Sequence, residues 1–169
     1  MLKGGVIGTL MSNYGLERSF KKNKIKFLRA KVGDRYVTEY MRQHGYNLGG
    51  EQSGHIILAD HTTTGDGLIA ALKVLSMLVR SPKPASEVCR VFTPLPQVLR
   101  NVASTNIRLL EREEVRRCIT AAEQKLGDDG RLLVRRSGTE QKIRIMGEGM
   151  NESLVRDVVE SLAGSIEQQ

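Results

Sequence analysis

The chain has 169 residues, 40% of them apolar and 27% charged, which fits one folded domain or two small ones and excludes a disordered polymer. Trp is absent and aromatics make up 4%, so any core must be built mostly from aliphatic side chains. The net charge of +7 lies wholly in residues 1–50, with 10 Lys/Arg against 3 Asp/Glu, because residues 51–169 carry 16 of each. Much of that excess sits in one run, RSFKKNKIKFLRAK. A solvated helix end followed by a basic strand accounts for it; an anionic substrate or a nucleic acid are the functional alternatives. Single-strand binders interleave several stacking rings, whereas Phe20 and Phe27 are the only rings here, so nucleic acid is not the expected partner. No apolar run approaches the roughly 18 residues of a membrane span, and the N-terminal apolar run is too short for a signal peptide. Cys89 and Cys118 are far apart and match no metal spacing. They read as reduced thiols of a cytoplasmic protein.

In chain order, GGVIGTL reads as a buried strand followed by a turn at Ser12-Asn13. Residues 14–23 read as a helix and IKFLRA, 25–30, as a second strand. Gly33 breaks the chain, Asp34 suits the cap of a helix running to about His44, and Gly45 suits its end. YNLGG leads into a glycine-rich loop, HIILAD reads as a third strand, and HTTTGDG leads into a long apolar helix over 68–79. Strands alternating with helices predict an α/β domain with a parallel or mixed sheet, and ligands at loops leaving the strand ends.

Ser81-Pro82-Lys83-Pro84 stops that helix; a short helix follows, then FTPLPQ with Pro94 and Pro96. The expected division is a first domain over 1–82, a linker that can hinge over 83–96, and a second domain over 97–169. The second half reads as a strand over 97–103, a helix over about 111–126, a GDDG turn, a strand over 131–135, a polar loop, a strand over 142–147 and a helix over 151–164. That order describes a small α+β domain, with Asn151 capping its last helix.

Two loops carry chemistry. In GGEQSGH, Glu51 and Ser53 are two residues apart, so an extended chain would point both the same way. In TTTGDG, Thr64 or Asp66 can cap the following helix, a stronger reading than an anion site at its N-terminus. In LLVRRSGTEQKIRIM, Arg135 offers a planar fork of donors, Ser137 and Thr139 offer hydroxyls, and Gly138 lets backbone N–H groups turn toward one anion. On composition alone, an ordinary hairpin turn with exposed charges explains that loop equally well.

GGEQSGH, then TTTGDG, then RRSGTEQKIRIM about 70 residues later, resemble the α-D-phosphohexomutase family. GTLMSNYGLE and AKVGDRYVTEYM resemble its glucosamine-phosphate subgroup, and the likeness runs from residue 4 to about 165. Gln141 departs from the pattern, where the family commonly has proline. The resemblance implies the family's mixed-sheet third domain without its leading helix, then the whole of its TATA-binding-protein-like fourth domain. It implies phosphoryl transfer between O6 and O1 of a hexosamine phosphate by a phosphoserine, through a 1,6-bisphosphate. In the family that serine lies in the first domain, and a D-x-D-x-D loop for Mg²⁺ lies in the second. Neither motif occurs in this chain, so no metal site is expected in it and the isolated chain is expected to be inactive. Domains 1 and 2 are the implied intramolecular partners, and a homodimer of the full-length enzyme is compatible with the resemblance.

By the same match, Arg135, Ser137, Gly138 and Thr139 hold the phosphate that is not reacting. Arg144 is a weaker candidate, since Glu140 or Glu148 can pair with it. Glu51 and Ser53 grip ring hydroxyls. Lys31 approaches the reacting hydroxyl or bridging oxygen, although a bare lysine at a strand end reads as surface charge. His55 faces the transferring phosphate, for proton transfer or as a charged donor, although a lone histidine at the start of a strand is usually structural. The alternatives are a non-catalytic phosphosugar-binding module, or specificity for mannose or glucose phosphates.

Overall fold

Gly5–Thr9, five consecutive buried residues, form β1, the strand around which the first sheet is built. A computed structural model describes residues 1–106, 108–138 and 140–169. The chain divides into two units, Met1–Thr93 and Pro94–Gln169.

The first unit continues with α1 (Tyr14–Lys22), β2 (Lys26–Ala30), α2 (Asp34–His44), β3 (Leu48–Gly50), β4 (Ile56–Leu58), α3 (Gly67–Val79) and the short α4 (Ala85–Val88). The strand order is β2-β1-β3-β4. β1 runs parallel to both β2 and β3, and β4 returns antiparallel to β3. The carboxyl ends of β1, β2 and β3 therefore open on one edge. On one face, Val37 and Met41 of α2 pack with Ile7, Ala30 and Ile57, an aliphatic core as the composition required. On the other, Phe20 of α1 meets Phe27 of β2 with ring centroids 5.3 Å apart.

Three local expectations are corrected or sharpened. Leu48–Gly50 is a strand and not the approach to a loop: Leu48 and Gly49 are paired with Val6 and Ile7 of β1. Two of its three residues have no side chain: α2 packs directly on Gly49, where a Cβ would come within 2.5 Å of the Met41 sulfur, and at Gly50 a Cβ would come within 2.9 Å of the His55 carbonyl. Second, GGEQSGH is the tip of the β3–β4 hairpin, so the chain at Glu51–Ser53 is turned and not extended. The Glu51 N–H donates to the His55 carbonyl at 3.0 Å and the Gly54 N–H to the Glu51 carbonyl at 3.1 Å. Gly54 has φ +97°, a conformation that suits glycine. Third, Gly33 caps α2 through backbone alone, and Asp34 is the first helical residue. The Asp34 carboxylate still suits that position, since it faces the positive end of the helix dipole.

The remaining caps follow the sequence. Gly45 ends α2 in the left-handed region with φ +67°. Asp66 caps α3, its carboxylate accepting from the Leu68 and Ile69 N–H groups at 2.9 Å, which decides between it and Thr64. α3 leaves Leu68, Leu72, Leu75 and Val79 exposed along one stripe. Among the described residues, no helix is long and apolar enough to cross a membrane.

The second unit holds β5 (Gln97–Ala103), α5 (Glu113–Leu126), β6 (Gly130–Arg136), β7 (Lys142–Gly149) and α6 (Glu152–Glu167). β7 is central, antiparallel to β5 and to β6. Val115 of α5 and Val155, Val159 and Leu162 of α6 bury one sheet face with Ile143 and Ile145. The fold is the expected α+β arrangement. α5 starts two residues later than expected, after a 3-10 turn at Leu109–Glu111, and α6 runs three residues further. Asn151 caps α6 by accepting from the Leu154 N–H at 3.1 Å. Glu148, fully buried, takes Arg131 as its partner: the Arg131 Nη2 and Nε donate to one carboxylate oxygen at 2.6 and 2.9 Å, and Gln97 donates to the other at 3.1 Å. That arrangement satisfies a buried charge that would otherwise be costly.

Candidate functional site

The first cluster stands at the carboxyl edge of the parallel strands. The chain passes from β1 to β2 on one side, then recrosses β1 to form β3, so the connections reverse direction there. In open α/β sheets the crevice at such a reversal is where ligands bind. β3 ends at Gly50 and delivers Glu51 to this edge; β2 ends at Ala30 and delivers Lys31.

The Glu51 side chain is only 9% exposed, and both its oxygens are engaged. Oε2 accepts from the Gly33 backbone N–H at 3.1 Å. Oε1 lies 3.3 Å from Nδ1 of His55, and Ser53 Oγ lies 2.9 Å from the same nitrogen. The His55 ring is 55% exposed, so it projects from the cluster into solvent. His55 Nδ1 thus meets both Glu51 and Ser53. Lys31 joins them through the backbone: Gly33, two residues on, is tied to Glu51. Its ammonium lies 5.9 Å from the centroid of the Tyr36 ring, within cation–π reach. A cleft of about 340 Å³ borders Glu51, with Ser12, Asn13, Phe27, Gln52 and Phe92 in its lining.

Sequence reasoning missed two supports of this edge. One is the Gly33 N–H that holds Glu51. The other is Arg29, whose Nη1 donates to the carbonyls of Thr9 and Ser12 at 2.8 and 2.7 Å, while Nε and Nη2 donate to Glu17 at 3.0 and 2.8 Å. That guanidinium fixes the turn after β1. Glu17 and Arg29 have no motif spacing, so no sequence signal links them.

The second cluster is the β6–β7 hairpin. The Ser137 N–H donates to the Lys142 carbonyl at 2.8 Å and closes it, and Ser137 Oγ accepts from the Glu140 N–H at 3.3 Å. Arg135 and Arg144 are directly opposed across the two strands. Like charges at that register repel unless an anion lies near them. Glu140 supplies one: its carboxylate takes Lys142 Nζ at 2.6 Å and Arg144 Nη2 at 2.9 Å. Hydrogen bonds from Lys142 first, then Arg144, hold the Glu140 carboxyl below its ordinary value. Of the two partners weighed for Arg144, the structure therefore has Glu140. Arg144 Nε is buried and, among the described residues, has no hydrogen-bond partner. Arg135 Nη1 donates to the Arg136 carbonyl at 3.3 Å. A Cβ at Gly138 would meet nothing within 4 Å, so the loop tip is open. Thr139 lies outside the described residues.

Chemically, the first cluster offers a carboxylate, a hydroxyl and an imidazole for a polyhydroxylated ligand, and the Lys31 ammonium lies by Tyr36. The second offers guanidinium groups, a hydroxyl and an open turn for an oxyanion. Among the described residues no group of three His, Cys, Asp or Glu could hold a metal ion. Cys89 and Cys118 are free thiols.

Comparison with known proteins gives two family matches. Residues 1–95 match phosphoglucomutase/phosphomannomutase, alpha/beta/alpha domain III, and residues 96–165 match phosphoglucomutase/phosphomannomutase, C-terminal domain. The phosphoglucosamine mutase of Beijerinckia indica is 51% identical over 166 residues, 98% of this chain and 37% of that protein. The phosphoglucosamine mutase of Azorhizobium caulinodans is 55% identical over 160 residues, 95% of this chain and 36% of that protein. The chain thus spans little more than a third of the length of these curated relatives. Among solved structures, Aspergillus fumigatus N-acetylphosphoglucosamine mutase in complex with GlcNAc-6P and magnesium matches 99% of this chain and 39% of its own, with TM-score 0.81 and 18% identity. A phosphoglucomutase/phosphomannomutase family protein from Burkholderia thailandensis matches 98% of this chain and 37% of its own, with TM-score 0.74 and 19% identity. At those identities the structures speak for the fold.

Proposed function

The chain belongs to the phosphoglucomutase/phosphomannomutase family, and we propose that it is the substrate-gripping half of a phosphoglucosamine mutase. The whole enzyme is an isomerase that interconverts glucosamine 6-phosphate and glucosamine 1-phosphate for cell-wall amino-sugar synthesis in the cytoplasm. The choice of glucosamine rests on the relatives at 51–55% identity. The opposed Arg135 and Arg144 at the mouth of an open glycine turn carry the reading. An anion is what relieves that pairing, and a sugar phosphate supplies one.

Transfer by a phosphoserine passes through a 1,6-bisphosphate that must turn around in the site. The non-reacting phosphate then needs one binding place for either orientation. Arg135 provides a fork of N–H donors, Ser137 a hydroxyl and Gly138 a backbone N–H, with Thr139 assigned beside them. Arg144 joins when the incoming phosphate replaces the Glu140 carboxylate as its partner. Glu51 accepts hydrogen bonds from two adjacent ring hydroxyls, a contact that survives a half-turn of the sugar, and Ser53 adds a hydroxyl. His55 and Lys31 stand nearest the reacting oxygen. Phosphoryl transfer depends on such positioning and charge neutralisation more than on covalent help.

The described residues do not fit Mg²⁺. Its ligands, like the phosphoserine, are assigned to domains 1 and 2, and the chain alone is expected to be without turnover. The exposed stripe on α3 supports further polypeptide covering this unit in the whole enzyme, with 1–82 assigned as the third domain. Residues 83–96 are assigned as the hinge and 97–169 as the fourth domain.

Calorimetric titration of glucosamine 6-phosphate into this chain and into Arg135→Ala tests the phosphate grip. Losing a charge-assisted hydrogen-bond pair should weaken binding about 10- to 100-fold. Equal affinity in the two proteins would remove Arg135 from its role.

A further inference from the structure

We propose that Glu51 is a positioning residue that fixes the neutral His55 ring in the tautomer protonated at Nδ1, leaving the Nε2 lone pair as the exposed base. The inference deepens the functional reading above and rests on it only for what Nε2 then does.

The geometry around Nδ1 is asymmetric in chemical kind. Ser53 Oγ, 2.9 Å away, is a hydroxyl that can donate or accept, so it is satisfied by either tautomer. Glu51 Oε1, 3.3 Å away, belongs to a carboxylate, which only accepts. A bare Nδ1 would set its lone pair against the lone pairs of that oxygen. A protonated Nδ1 places an N–H between the carboxylate and the hydroxyl, and both accept from it. The Glu51 side chain, nine-tenths buried, cannot turn away to solvent without giving up the Gly33 N–H held by its other oxygen at 3.1 Å. The carboxylate is therefore clamped at one end and dictates the ring at the other.

Two consequences follow. Ser53 accepts from the ring, so its own hydroxyl proton is available to donate to a ligand. Nε2, on the far side of a ring that is 55% exposed, carries the lone pair. Under the functional reading, Nε2 takes up the proton of the reacting sugar hydroxyl and returns it in the reverse direction, and the imidazolium formed sits beside the Glu51 carboxylate. The bond from Gly33 to Glu51 gives the same carboxylate a second task, holding the segment that carries Lys31.

The test uses the ¹⁵N-labelled chain and long-range ¹H–¹⁵N correlation spectra at about pH 8, above the ordinary histidine pKa of about 6.5. His55 is assigned against the His44→Gln and His61→Gln variants. The expected spectrum has a protonated Nδ1 and a bare Nε2, the opposite of the form that free histidine favours. Glu51→Gln should reverse it: the amide oxygen can keep the Gly33 N–H, and the amide NH₂ then faces Nδ1 and requires it bare. Ser53→Ala should leave the wild-type tautomer in place. A wild-type His55 with bare Nδ1 overturns the proposal, as does a Ser53→Ala variant that reverses the tautomer. A Glu51→Gln variant with unchanged circular dichroism and a still-protonated Nδ1 does so too. No ligand is present in these spectra, so a chain that keeps the tautomer yet fails to bind glucosamine 6-phosphate would sink the functional reading alone.

Discussion

The two candidate loops are both hairpin tips with glycine and serine, yet they are held together in opposite ways. The β3–β4 tip has a buried carboxylate at its centre whose partners are the Gly33 N–H from the turn before α2 and the tip's own histidine. The β6–β7 tip has opposed arginines, and its carboxylate, Glu140, stands where a ligand anion would relieve them. The first loop is organised before a ligand arrives. The second is held by an internal carboxylate, which under the proposed function a phosphate would replace. A sugar with many weak contacts gains from a rigid acceptor, because little ordering remains to be done on binding. A phosphate with full charges can displace an exposed ion pair, because such pairs contribute little.

That contrast can be broken by comparing variants of the two loops. The largest effect on glucosamine 6-phosphate affinity should come from the charged site. Arg135→Ala should cost about 10- to 100-fold, while Ser53→Ala, which removes a neutral hydrogen bond, should cost roughly 2- to 10-fold by calorimetry. A greater loss for Ser53→Ala would reverse the assignment of which loop supplies the affinity. Next is the rigidity of the first loop. Gly54→Ala forces a side chain onto φ +97° and should lower unfolding stability by about 1–2 kcal/mol in urea. Gly138→Ala, with nothing within 4 Å of the added Cβ, should change it by less than about 0.5 kcal/mol.

The smallest effect concerns the internal anion. Glu140→Gln frees Lys142 and Arg144 and should raise affinity for inorganic sulfate roughly 2- to 5-fold. The sign with pH follows from the lowered Glu140 carboxyl. Its ion pairs are intact above the ordinary value of 4.5 and are lost as pH falls through the lower folded value. Wild-type affinity for sulfate should therefore climb toward that of Glu140→Gln as the solution is acidified, with the variant changing less. Parallel curves would show that Glu140 does not compete with the anion.

Much of this was legible in the sequence, for reasons that differ by element. The apolar run at Val6-Ile7 and the turn residues of RRSGTE carry their own signals, so β1 and the second hairpin were readable. β3 was not, because Leu48-Gly49-Gly50 has almost no side-chain pattern; what makes it a strand is α2 packing on Gly49, a fact of tertiary contact. The cap of α2 moved from Asp34 to Gly33 because backbone geometry alone decided it. Glu140 was one of two acids in reach of Arg144, and only the register of β6 with β7 separates it from Glu148, which Arg131 occupies. The pairing of Glu51 with Gly33 joins two turns 18 residues apart and has no sequence signature at all.

The central claim is that this chain grips the substrate and leaves the phosphoryl donor to domains it does not contain. A domain-replacement chimera tests it most directly, with this chain substituted for the corresponding C-terminal part of the Beijerinckia indica relative. The account predicts interconversion of glucosamine 6-phosphate and glucosamine 1-phosphate by the chimera, and none by the chain alone purified free of host enzyme. Turnover by the isolated chain, or a folded chimera without activity, would contradict it.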